Sequence, residues 1–108
     1  MDPSECLEKG LAAYRRGNFK KAFAMLSAET LIDDPTAQYL LGRMYYDGKG
    51  TRQSYELAIH LYKGAASKDC TAAMKSLGWM YEFGKGVPQS YEDAVRWYRR
   101  GEIGRAHV

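Results

Sequence analysis

Cysteine, histidine and long apolar runs are scarce in this sequence. Its 108 residues include two cysteines, Cys6 and Cys70, and two histidines, at spacings that match neither a zinc site nor a disulfide framework. We therefore predict reduced thiols, no metal and no cofactor. No apolar run approaches the roughly 20 residues that a membrane-spanning helix needs, and the N-terminus does not have the pattern of a signal peptide. These absences favour a cytoplasmic protein without a membrane segment.

A strong excess of charge of one sign is also missing. Sixteen lysines and arginines face 13 acidic residues, and the formal net charge of +3 is too small to make nucleic acid the default partner. Nucleic-acid binding stays an alternative that the overall charge does not favour, and it is motivated by Lys75, Arg96, Arg99 and Arg100. The apolar content of 45% is ordinary for a globular domain, so the chain can bury a core.

An internal repeat organises the chain. When the sequence is shifted by 36 residues, 14 of the 29 positions from 37 to 65 meet an identical residue, where unrelated sequences would give roughly two. A shorter copy precedes these two, because Gly10 and Ala22 stand 12 residues apart whereas Gly42 and Ala58, like Gly78 and Ala94, stand 16 apart. The chain therefore contains three related units.

Each unit is predicted to be a pair of helices. Apolar residues recur at helical spacing on both sides of a glycine-rich break, and residues typical of helix N-caps precede each segment: Asp2, Asn18, Asp34, Ser54, Asp69 and Ser90. A glycine inside a helix costs about 1 kcal/mol relative to alanine, so the helix glycines call for close packing. We infer that Gly42 lies against Ala58 and Gly78 against Ala94, and that Gly10 and Ala22 repeat this contact.

The two longer units share a motif. The pattern Ala-x3-Leu-Gly-x2-Tyr-x2-Gly-x-Gly, followed by Ser-Tyr-Glu-x-Ala-x3-Tyr, occurs at residues 37–62 and 73–98. This pattern resembles the Sel-1-like repeat, a relative of the tetratricopeptide repeat with a longer loop, and the first unit is similar to the plain tetratricopeptide form. The resemblance implies an all-α fold, a right-handed solenoid of three helical hairpins over residues 1–101, with units at 4–34, 35–69 and 70–101. It also implies a protein-binding module or scaffold rather than an enzyme.

The last seven residues depart from the repeat. Residues 102–108 replace the two alanines with which the family would continue, and they resemble the conceptual translation of a common sequencing-adapter oligonucleotide. We predict that this tail is not native to the protein, with a natural irregular tail as the alternative. On that prediction the natural protein continues beyond Gly101, and the chain is a piece of a larger regulatory or effector protein.

The candidate site follows from the resemblance. In tetratricopeptide-like stacks the first helix of each hairpin lines the concave face, and the exposed positions are counted from the helix glycine. Aromatic and arginine residues at these positions are typical of protein-binding hot spots, so we predict a groove for a protein or peptide, with a solvated mixed face as the alternative. Its residues are Leu7, Leu11, Tyr14, Tyr39, Arg43, Tyr46, Lys75, Trp79 and Phe83, with Arg15, Asp47 and Glu82 at the remaining positions.

Other motifs are assigned structural roles. The Gly-Lys-Gly sequences at 48–50 and 84–86 lack the strand and the glycine spacing of a phosphate loop, so they are predicted to be hairpin loops. The recurring tyrosines 45, 62, 81 and 98 are predicted to be core residues that join adjacent hairpins. A hydrolase that uses Cys70 and His60 is a weaker alternative, because Asp69 beside Cys70 opposes a reactive thiolate. No motif specifies an oligomeric state.

Overall fold

The chain folds into a stack of three antiparallel helical hairpins. The computed structural model describes residues 2–106, with side chains up to Glu102, and contains no strand in that range. Helices pack most extensively within a hairpin, and α2 with α3 and α4 with α5 join one hairpin to the next. The predicted all-α solenoid of three hairpins is confirmed. Its helices are α1 (Pro3–Arg15), α2 (Phe19–Leu26), α3 (Pro35–Asp47), α4 (Tyr55–Ala66), α5 (Thr71–Phe83) and α6 (Tyr91–Ala106).

Five of the six predicted N-caps are present. In each, a side-chain oxygen accepts a hydrogen bond from the backbone N–H three residues later, which satisfies a donor that the first helical turn leaves unpaired; these caps are Asp2, Asn18, Asp34, Ser54 and Ser90. The prediction for Asp69 is wrong. Asp69 has a φ of 65°, a left-handed conformation that aspartate tolerates better than most residues, and it ends the turn after α4. The N-cap of α5 is therefore Cys70, which makes no side-chain cap bond.

The Gly-Lys-Gly loops attach each hairpin to the preceding one. Helix α5 ends at Phe83, and its C-cap Gly84 takes the left-handed conformation that glycine adopts without strain. The next residue, Lys85, places its ammonium group 5.9 Å from the ring centre of Tyr55, the first residue of α4. In the preceding loop Lys49 lies 5.1 Å from the ring centre of Phe19, the first residue of α2. This repeated cation–π contact supports a packing role for the loops.

The helix glycines do not pack as predicted. A Cβ atom at Gly42 would lie 2.7 Å from the ring of Tyr62, and one at Gly78 would lie 2.5 Å from the ring of Tyr98. Gly10 lies in the same way against Leu26. The covering residue is thus four positions beyond the alanine that we predicted, because side chains of a helix lean toward its N-terminus and cover the preceding turn.

Tyrosines contribute to packing both between and within hairpins. Tyr45 of α3 meets Phe23 of α2 edge to face, with ring centres 5.7 Å apart, so it joins the first two hairpins as predicted. Tyr98 instead lies within its own hairpin, where its ring covers Gly78 and its hydroxyl donates a 2.7 Å hydrogen bond to the Glu82 carboxylate. No hairpin follows α6 within the described residues, so the prediction that Tyr98 joins neighbouring hairpins stays a prediction.

Helix α6 continues past the end of the third repeat. Its backbone is helical through Gly101 to Ala106, so the described chain does not break where the sequence departs from the repeat. The non-native origin of residues 102–108 stays a prediction, and residues 107 and 108 lie outside the described residues. None of the helices within residues 2–106 is long and apolar enough to cross a membrane.

Candidate functional site

A pocket of about 450 Å³ opens between the second and third hairpins. Five of the nine predicted groove residues line it: Tyr39, Arg43 and Tyr46 from α3, and Lys75 and Trp79 from α5. The first helices of two adjacent hairpins thus face the same space, because these positions keep one register relative to the helix glycines Gly42 and Gly78. We call this space the inter-hairpin pocket.

An aromatic wall forms one side of the inter-hairpin pocket. The indole N–H of Trp79 donates a 2.9 Å hydrogen bond to the hydroxyl of Tyr46, across the junction between α5 and α3. Trp79 is nevertheless 48% exposed, and Phe83, with its ring centre 4.3 Å from that of Trp79, is equally exposed. Phe83 does not line the pocket but extends its apolar surface along α5. The hydrogen bond restricts the orientation of the half-exposed indole.

Four lining residues were not predicted for the groove: Tyr62, Ala72, Ser76 and Met80. Tyr62 is only 3% exposed, and its ring centre lies 5.8 Å from that of Tyr39. Burial raises the pKa of Tyr62 above its usual range, with a smaller increase from Tyr39, while the hydroxyl of Ser76 lowers it. Tyr62 therefore presents a neutral hydroxyl group. The recurrence of Tyr62 in the repeat predicts a core residue. Tyr62 is buried in the core and also lines the pocket.

The inter-hairpin pocket carries more positive than negative charge. Arg43 and Lys75 line it together with a single carboxylate, Asp47. Burial lowers the pKa of Arg43, but its neighbours, among them the carboxylate of Asp47, raise it by more. An arginine guanidinium stays protonated in proteins, so this group is charged. Its central carbon lies 5.9 Å from the ring centre of Tyr14, within the range of a cation–π contact.

The residues predicted from α1 lie outside the pocket. Leu7 and Leu11 are half-buried against the core of the first two hairpins. A short 3-10 helix, Glu29–Leu31, packs against α1 and brings the buried Leu31 into this core, which draws the aliphatic side chains of α1 inward. Tyr14 contacts Phe19 edge to face. It does not line the pocket, but it contacts the pocket residue Arg43. The predicted groove thus continues to α1 only at Tyr14.

Other residues that could carry chemistry lie outside the inter-hairpin pocket. Neither the half-buried Cys70 nor the exposed His60 lines the inter-hairpin pocket. Within residues 2–106, no three His, Cys, Asp or Glu side chains are grouped so that they could hold a metal ion. Among the basic residues of α6, Arg96 pairs with Asp93 at 3.5 Å, and Arg100 lies over the ring of Trp97. These arginines already have partners within the chain.

Comparisons with known proteins identify the repeat. The chain matches the Sel1 repeat at residues 4–28, 35–70 and 71–101, so the match includes the first unit, which we had likened to the plain tetratricopeptide form. No curated protein matches the chain.

Two crystal structures are similar in fold and sequence. A Sel1 repeat protein from Oxalobacter formigenes has a TM-score of 0.84 and 31% identity over 87% of this chain. The antigen c5321, described as a protective antigen present in uropathogenic Escherichia coli strains and displaying an SLR fold, has a TM-score of 0.85 and 31% identity over 94% of this chain. The matches span only 39% and 23% of those two proteins. With all three of its units matched, the chain belongs to the Sel1 repeat family.

Proposed function

We propose that this chain is a protein-interaction module that binds a peptide or protein segment in the inter-hairpin pocket. Sel1 repeats generally mediate interactions between proteins. The observation that carries the proposal for this surface is the half-exposed Trp79, held in place by Tyr46 beside the charged Arg43. Tryptophan, tyrosine and arginine are the residues most enriched at binding hot spots.

The repeat itself separates packing positions from recognition positions. Tyr45 and Tyr81 are identical in the two longer units, whereas Arg43 and Trp79 occupy one register and differ in size, charge and shape. Tyr45 packs against Phe23 of the preceding hairpin, while the positions of Arg43 and Trp79 are free to vary with the ligand. Because the hydrogen bond to Tyr46 already restricts the indole, Trp79 loses little conformational entropy when a ligand covers it.

A peptide selected from a random phage-displayed library would test this function. Once a binding sequence is obtained with the wild-type chain, its affinity is measured by titration against Trp79→Ala and Arg43→Glu. We expect each variant to weaken binding by about 2 kcal/mol or more, roughly 30-fold. Their melting temperatures should stay close to wild type, because both side chains lie outside the core.

The matched control is Tyr91→Ala. This variant removes an exposed aromatic side chain from α6, away from the pocket, and it should bind the peptide as tightly as wild type. Wild-type affinity in both pocket variants would place recognition on another surface and contradict the proposal.

A second proposal concerns the whole protein. The chain spans less than half of each similar structure, which supports the hypothesis that it is a piece of a larger regulatory or effector protein. For the chain itself we propose a binding role without catalysis and a cytoplasmic location. The complete open reading frame across Gly101 and Glu102 tests the first of these hypotheses.

A further inference from the structure

We propose that the inter-hairpin pocket selects peptides in which a carboxylate stands next to an aromatic or aliphatic side chain. This inference rests on the proposed function and names the chemical class of its ligand. Two cationic side chains and one carboxylate line the pocket together with aromatic rings and Met80. A ligand that complements this surface carries negative charge and apolar area side by side.

Arg43 provides the main site for the carboxylate. Its guanidinium carbon lies 5.9 Å from the ring centre of Tyr14, and among the described side chains no carboxylate lies within 4.0 Å of it. Asp47, one helical turn further along α3, is thus near but not paired with it. A guanidinium offers parallel N–H donors that match the two oxygens of a carboxylate. An incoming carboxylate can therefore bind Arg43 without first breaking an ion pair seen in the structure.

Lys75 provides a second cation on the opposite helix. Its ammonium nitrogen lies 4.0 Å from a carboxylate oxygen of Glu102, so an acidic side chain already reaches this edge of the pocket. Both partners are partly exposed, and such surface pairs contribute little net stability. A ligand can displace Glu102 at small cost, and on the prediction that residues 102–108 are not native this competing carboxylate is absent from the natural protein.

The apolar lining accounts for the aromatic or aliphatic side chain that the proposed ligand carries beside its carboxylate. Trp79, Met80 and Ala72 of α5 face Tyr39 of α3 across the pocket. A volume of about 450 Å³ lies in the range of small-ligand sites, so the pocket takes one or two side chains rather than a long segment. Aromatic linings also bind ligand cations, but the charges of Arg43 and Lys75 oppose a cationic occupant.

Four small probes test the inference. N-acetylphenylalanine places a terminal carboxylate beside a phenyl ring, and N-acetylphenylalaninamide lacks that charge. N-acetyl-Phe-Asp-amide and N-acetyl-Phe-Asn-amide make the same comparison for a side-chain carboxylate. Binding is followed by the NMR shift of the indole N–H of Trp79, which is distinguished from that of Trp97 in a Trp97→Phe variant. The better-binding acid then shows whether a chain terminus or an acidic side chain is the natural source.

We expect at least one acid to bind about tenfold or more tightly than its amide, since hydrogen bonds to a charged group are stronger than those to a neutral one. Arg43→Gln should reduce this ratio markedly, and the preference that remains is what Lys75 supplies. The matched control Arg96→Gln, which alters an exposed arginine of α6 outside the pocket, should leave the ratio unchanged. Glu102→Gln should strengthen binding of the acid, because it removes the competing carboxylate.

The outcomes separate this inference from the proposed function. Equal binding of acids and amides, or of acids to wild type and Arg43→Gln, overturns the selection of a carboxylate while leaving the groove as a binding site. The same conclusion follows if no probe shifts the Trp79 signal although a library peptide binds in a manner that depends on Trp79. If neither the probes nor any library peptide depends on Trp79, the proposed function fails as well.

Discussion

Replacing Gly78 with alanine tests the contact that closes the third hairpin. At a typical helix position this change stabilises a protein by about 1 kcal/mol. Here the new Cβ would lie 2.5 Å from the ring of Tyr98, and the hydrogen bond from the tyrosine hydroxyl to Glu82 restrains that ring. Overpacking of this kind costs about 1–3 kcal/mol. We therefore expect a net loss of up to about 2 kcal/mol in the free energy of unfolding.

Gly64→Ala is the matched control within α4. The atom closest to its new Cβ would be the side-chain amide nitrogen of Gln38, at 2.9 Å. This nitrogen donates an exposed 3.1 Å hydrogen bond to the backbone oxygen of Ile32, so the flexible side chain can move aside at the cost of at most that bond. The free energy of unfolding of this variant should be unchanged or higher than that of wild type by up to about 1 kcal/mol. Urea unfolding followed by circular dichroism measures both variants, and each kcal/mol corresponds to about 4–8 °C in melting temperature.

A double-mutant cycle isolates the contact between Gly78 and Tyr98. In a Tyr98→Ala background the obstructing ring is gone, so Gly78→Ala should become neutral or stabilising. If Gly78→Ala is as stable as Gly64→Ala in the wild-type background, the packing of α6 on α5 has been assigned wrongly.

Two further predictions concern α6. Val95 is 46% exposed, whereas its repeat equivalent Ile59, which α5 helps to cover, is 7% exposed. We therefore expect amide hydrogen exchange in residues 90–101 to be the fastest of any helix. Uniform protection along the chain, measured by hydrogen-exchange mass spectrometry, would contradict this. Burial and the neighbouring Glu82 raise the pKa of Tyr98 from 10.0 to about 12, so folding favours the protonated phenol. The resulting stability is complete below pH 10 and is lost as the pH rises toward 12. Tyr98→Phe should make the free energy of unfolding less dependent on pH between pH 10.0 and about 12. An unchanged pH dependence would contradict the raised pKa of Tyr98.

Local sequence rules were sufficient for the hairpins and most of their boundaries. A cap bond joins residues three apart, so Asp34 and Ser54 could be recognised from the residues around them. Asp69 could not be assigned in this way, because it competes with Cys70 for the start of α5 and takes the left-handed position of the preceding turn. Spacing also located the helix glycines, but the lean of the side chains made Tyr98 rather than Ala94 the partner of Gly78.

The site was predictable only where one helix determines it. Arg43 and Trp79 follow from a count along α3 and α5, and the structure brings both to the inter-hairpin pocket. Tyr62 and Ser76 line the same pocket because of how α4 and α5 are offset across the hairpin junction, and no repeat pattern within one helix specifies that offset. Leu7 occupies the same register as Tyr39 and Lys75, but the short 3-10 helix that packs against α1 changes its surroundings.

The hydrogen bond between Trp79 and Tyr46 has a mechanical consequence. It bridges α3 and α5 of consecutive hairpins, so a change in the angle between these hairpins moves the two helices apart or together. The width of the pocket therefore changes together with the angle between the two hairpins, which sets the local curvature of the solenoid. A ligand that wedges between the two rings would straighten the stack, and a ligand that draws them together would tighten its bend. In a longer array of repeats, a small displacement at this junction would be amplified with distance along the superhelix.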